Sequence, residues 1–138
     1  MEPTAKIRAN WYEKHGISKK RYCELLWFAR QYDDYKAADR RWRNGEYDRM
    51  ATGNTAARGH SDPTAGEAIR IASSPCAWKI AVIEQAAIAA APEICKELLR
   101  NVVRDETWET IGAPCGRKQF YEARRKFYLE LHLILENR

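Results

Sequence analysis

Apolar residues recur along the chain at three- and four-residue steps nearly throughout, the period that gathers side chains on one face of an α-helix. No stretch shows the two-residue alternation that strands require, so an all-α protein is predicted. The first helix starts at Ser18, a good N-cap, and runs to Asn44, where Asn44-Gly45 supplies a stop; at 1.5 Å per residue it is about 40 Å long. Leu25, Phe28, Tyr32, Tyr35 and Trp42 form an aromatic seam along it, interrupted only by Asp39. That seam must be covered, either by the protein's own helices or by a second copy through a short coiled-coil contact.

From Glu46 to Ser61 the chain is rich in Gly, Ala, Thr and Asn and reads as a surface loop or hinge. Ser61-Asp62-Pro63-Thr64 then opens a helix reaching about Ser73, because Ser61 or Asp62 can cap its first-turn amides and Pro63 suits the first helical position. After Ser74-Pro75, Ala77 to Ala90 is apolar apart from Lys79, Glu84 and Gln85, which predicts a central buried helix and hub of the fold. Pro92 restarts the chain, and Ile94, Leu98, Leu99 and Val102 mark one face of the next helix. The organisation expected is a long basic and aromatic helix within residues 1–45, a loop or hinge at 46–61, and a helical core over 62–138.

The stretch from Asp105 to Leu131 carries the most information. A short helix with Trp108 and Ile111 turned inward, a break at Gly112-Ala113-Pro114 and a longer basic helix starting near Cys115-Gly116 make the order of a helix-turn-helix unit. At 100° per residue, Phe120, Ala123, Phe127 and Leu131 share an inward face, while Lys118, Tyr121, Glu122 and Arg125 face away. A major groove admits one helix and is read by long donors near its amino-terminal end. Arg117, Lys118, Gln119, Tyr121 and Arg125 are therefore the candidates for base edges or phosphates, and Arg124 and Lys126 for holding the helix on the DNA backbone. Beyond Lys126 the helix is apolar on more than one side, so Leu129 and Leu133 need a second partner: the amino-terminal helix or another subunit.

Charge sharpens this picture. The net charge is +5, and it is segregated: residues 1–60 hold 13 basic and 8 acidic side chains, 61–116 hold 5 and 8, and 117–138 hold 6 and 3. Two basic zones flanking an acidic middle suit a polyanion, with Arg40, Arg41 and Arg43 as further phosphate contacts. With 138 residues, 45% of them hydrophobic, the chain can bury a core, and wholesale disorder is excluded. The four cysteines, at 23, 76, 95 and 115, show no Cys-x-x-Cys spacing and make no metal set with His15, His60 and His132. Neither a metal nor another cofactor is expected. The acid pairs Asp33-Asp34 and Asp105-Glu106 do not converge on one point, and Cys115 has no placed base, so no enzyme is expected. Without a long apolar run or the apolar stretch of a secretory signal, the chain is expected to be cytoplasmic and free of membrane.

PCGRKQFYEARRKFYLEL (Pro114–Leu131), preceded by WETIG (Trp108–Gly112) and SDPTAGEAIR (Ser61–Arg70), resembles the phage and prophage late-gene transcription regulators of the RinA/ArpU type, over roughly residues 61–135. The resemblance implies a small helical protein of a host bacterial cell whose carboxy-terminal part is similar to the helix-turn-helix of sigma-factor region 4. It implies double-stranded DNA as ligand; RNA polymerase is expected as a further partner, and the apolar seam of the first helix allows a homodimer or higher oligomer. Arg117, Lys118, Gln119, Tyr121 and Arg125 would form the reading surface over a core of Trp108, Ile111, Phe120 and Phe127. The alternative from the interaction class is a phage packaging or assembly component, a small terminase-like oligomer that recognises DNA.

Overall fold

The computed structural model describes residues 11–45 and 74–138, and every described element is helical. The elements are α1 (Lys19–Arg30), α2 (Tyr32–Arg43), α3 (Ala77–Ala90), a 3-10 turn (Pro92–Ile94), α4 (Cys95–Arg104), α5 (Trp108–Ile111) and α6 (Arg117–Glu136). The expected loop at 46–61, with its Gly53–Gly59 stretch, and the helix from Ser61 to Ser73 lie outside the described residues.

Ser18 caps α1 as its sequence position requires: it is extended, and its hydroxyl accepts from the Arg21 amide at 3.1 Å. The single helix expected from Ser18 to Asn44 is instead two helices of 12 residues each. The division falls at Gln31, whose side-chain amide donates to the Trp27 carbonyl at 2.9 Å, the acceptor that its own backbone N–H would use in a continuous helix. That backbone N–H turns to Phe28 at 3.3 Å, and φ −86°, ψ 4° takes the chain out of helical geometry. Asn44-Gly45 does end α2: Gly45 has φ +78° and donates to the Trp42 carbonyl at 3.0 Å.

The chain divides into two compact units, one formed by Met1–Tyr32 with Ala81–Arg138 and the other by Asp33–Ile80. In the described part of the second, Tyr35 is buried and the Lys79 ammonium lies 5.0 Å from its ring centre. Asp39, the interruption in the apolar seam, is buried as well; its carboxylate accepts from Arg43 Nε at 2.7 Å and from the Ser74 hydroxyl. A buried carboxylate needs such partners, because leaving it unpaired costs several kcal/mol.

In the first unit, α1 packs on α4 and α6, and α4 packs on α5 and α6. Leu25 and Ala29 from α1, Leu98 and Val102 from α4, and Phe120, Ala123, Phe127, Tyr128 and Leu131 from α6 are buried there. Each large apolar side chain so enclosed contributes roughly 1.5–3 kcal/mol. The hub is therefore α1, α4 and α6 rather than α3. Val82, Ile83, Ala86 and Ala87 of α3 are buried, but Ala81, Gln85, Ile88 and Ala89 are exposed, Ile88 at 54%. Among the described residues no helix is long and apolar enough to cross a membrane.

Candidate nucleic-acid interface

Three local devices hold the segment before α6. Asp105 ends α4 in the left-handed region at φ +59°, and Asn101 supports the following residue by donating from Nδ2 to the Glu106 carbonyl at 2.8 Å. Thr107 caps α5, accepting from the Thr110 amide at 3.2 Å, and Gly112 ends it at φ +68°, where glycine meets no steric penalty. The Trp108 indole N–H then donates to the Cys115 carbonyl at 2.8 Å, spanning the turn that contains Pro114. Four residues of α5 and this tether bring the chain to Gly116, the extended N-cap of α6.

The inward face expected for α6 is present: Phe120, Ala123, Phe127 and Leu131 are all buried, and Tyr128 joins them. On the outer side Arg117, Lys118, Gln119, Glu122 and Lys126 are exposed. Arg117 is steered by two neighbours, with Nε 3.7 Å from Glu109 Oε1 and its guanidinium 5.8 Å from the Tyr121 ring centre. Tyr121 is half-buried, and its hydroxyl accepts from the Trp108 amide at 3.4 Å, so it braces the turn as well as flanking the face.

The Arg-Arg-Lys run divides three ways. Lys126 is exposed; Arg125 is half-buried, with its guanidinium 5.6 Å from the ring centre of Trp11. Arg124, expected beside the DNA backbone, turns inward. Its guanidinium lies 5.5 Å from the Tyr128 ring centre, and its Nε is buried without a hydrogen-bond partner among the described residues. The reason is position: 124 and 128 are one helical turn apart, and Tyr128 is drawn into an aromatic cluster whose rings run from Tyr12 to Tyr22 (4.6 Å) and from Tyr22 to Tyr128 (5.2 Å). Burial pushes the Tyr128 phenol up to about 12 and raises that of Tyr12 further. For Arg124 burial opposes the charge, but the phenols of Tyr128, Tyr22 and Tyr12 outweigh it and its pKa is raised.

Arg40 and Arg41 are exposed in the last turn of α2, where positive charge complements the helix dipole, and Arg43 shares its charge with Asp39. Among the described residues no cluster of His, Cys, Asp and Glu has the make-up of a metal site, and Cys23, Cys76, Cys95 and Cys115 are free thiols.

Sequence reasoning missed the contribution of Trp11, Tyr12 and Tyr22 to the surroundings of α6. Two adjacent aromatics just ahead of the Ser18 cap were a signal, since such residues need cover, but periodicity within one helix does not say which other helix supplies it. It also missed the bond from Arg21 Nε to His132 Nδ1 at 3.0 Å, which with Arg21–Glu136 at 3.3 Å fastens α1 to the far end of α6. Comparison of the chain with protein-family models, with curated proteins and with solved structures finds no match in any of the three.

Proposed function

We propose that the protein is a sequence-specific DNA-binding regulator of transcription, as its resemblance to phage late-gene regulators implies, with α4, α5 and the turn before Gly116 presenting α6 to the major groove as a helix-turn-helix. The observation that carries this reading is the polarity of the first turns of α6. Phe120 and Ala123 are buried, while Arg117, Lys118 and Gln119 are exposed within one turn of the helix start, with Lys118 opposite Phe120. Long donors at that position reach base edges, and arginine or lysine paired with guanine is worth roughly 1–3 kcal/mol of discrimination.

Roles follow from placement. Lys118 and Gln119 are the base readers, with Arg117 and Arg125 at the sides of the same face. Lys126 contacts the phosphate backbone. Arg124 and Tyr121 support the helix from within.

Fluorescence anisotropy with labelled duplexes from the protein's own genomic neighbourhood, a scrambled duplex and a salt series tests the reading. Tight binding to one duplex, a steep loss of affinity with salt and about tenfold weaker binding by Lys118→Ala are expected. Absence of binding to every duplex at low salt would sink the proposal.

A further inference from the structure

We propose that Trp11 is a positioning residue for DNA recognition, holding the Arg125 guanidinium against its indole face so that the in-plane N–H donors of Arg125 are set toward the ligand. This rests on the DNA-binding reading above. The Arg125 guanidinium carbon is 5.6 Å from the Trp11 ring centre, and the indole is itself fixed on other sides. Its ring stacks on His15 with centroids 4.2 Å apart and planes 30° apart, and meets Tyr12 edge-on at 5.1 Å. His15 Nδ1–H donates to the Trp11 carbonyl at 2.8 Å, which ties the stacked pair together across one helical turn.

The chemistry of the pair explains what this does for Arg125. A guanidinium held over an aromatic face is attracted by the ring's π electrons without using its N–H donors, which stay free to bind a guanine edge or a phosphate. A long arginine side chain without such a support samples many rotamers, and most of them point its donors elsewhere. The neighbouring Arg124 is enclosed among tyrosines, so of the two adjacent guanidinium groups Arg125 is the one set on the outer side of α6. Trp11 thus links a segment remote in sequence to the end of the reading face.

A double-mutant cycle on the duplex that the wild-type protein prefers tests the inference, with thermal unfolding used to confirm that each variant is folded at the assay temperature. Arg125→Ala is expected to weaken binding about tenfold. Trp11→Ala is expected to weaken it about threefold, to have no further effect in the Arg125→Ala background, and to be largely rescued by Trp11→Phe, which restores an aromatic face. Equal losses from Trp11→Ala in both backgrounds would overturn the inference, because the ring would then act only through the fold. Tighter binding by Trp11→Ala would also overturn it, showing that the indole withholds Arg125. If Arg125→Ala binds like wild type while Lys118→Ala does not, the inference falls and the DNA-binding reading stands; if wild type binds no duplex, that reading itself falls.

Discussion

Trp108 and Cys115 are joined across the turn before α6 by one hydrogen bond, from the indole Nε1 to the peptide carbonyl at 2.8 Å. They are seven positions apart, and Gly112 and Pro114 between them rule out a continuing helix, so this bond sets where α6 begins relative to α5. Trp108→Phe keeps an aromatic ring and deletes the donor. A loss of about 1 kcal/mol is expected in chemical denaturation, together with weaker binding to the preferred duplex. Unchanged stability and unchanged binding would show that the tether does not position the helix.

The buried tyrosines make stability depend on alkaline pH. Tyr128 has its phenol raised from 10.0 to about 12, and Tyr12 is raised in the same direction, because burial disfavours the ionised form. In the unfolded chain both ionise near pH 10, so their contribution is intact below that value and is lost as pH rises through about 12. Unfolding midpoints recorded from neutral pH to pH 12 should fall across this window. Tyr128→Phe should soften the fall, because it removes one of the two phenols whose ionisation burial disfavours.

Two helix ends depend on the left-handed region for different residues. Gly112 has open space where a Cβ would stand, so the cost of Gly112→Ala comes from its φ of +68° alone and should be about 1 kcal/mol. Asp105 holds φ +59° with an exposed side chain, and its pair with the half-buried Arg30 is long, at 3.5 Å, and adds little. Asp105→Gly should therefore be neutral or stabilising, by up to about 1 kcal/mol. Opposite signs for these two variants in thermal denaturation are the result to look for; a clear loss from Asp105→Gly would assign the ion pair a larger role.

Arg124 and Lys126, two residues apart, should separate stability from DNA affinity. Arg124→Ala removes the guanidinium from the Tyr12, Tyr22 and Tyr128 cluster and is expected to cost about 1–3 kcal/mol of stability. Lys126→Ala, at an exposed position, should change stability by less than about 0.5 kcal/mol and reduce the salt dependence of DNA binding by about one phosphate contact. Should Lys126→Ala destabilise the fold as much as Arg124→Ala, this division of roles would be wrong.

Sequence reasoning alone identified the helical class, the Ser18 cap, the stops at Gly45 and Gly112, and the inward face of α6 through Phe120, Ala123, Phe127 and Leu131. These follow from backbone preferences and from a single helical period, both of which are local and written in neighbouring residues. The pattern of residues 18–44 fits one helix, because nothing in it forbids continuity. The break at Gln31 arises when a side-chain amide takes a carbonyl that the backbone would otherwise use, a competition between near-equal partners that composition does not weigh. The fate of the Arg-Arg-Lys run was equally hidden: Arg124, Arg125 and Lys126 are three basic residues in a row, yet one is enclosed by tyrosines, one lies against Trp11 and one is exposed. Which of them keeps its charge in water was decided only when Tyr12, Tyr22 and Trp11, more than 100 positions away in the 138-residue chain, came to rest beside α6, because burial is a property of the packed helices and not of any one of them.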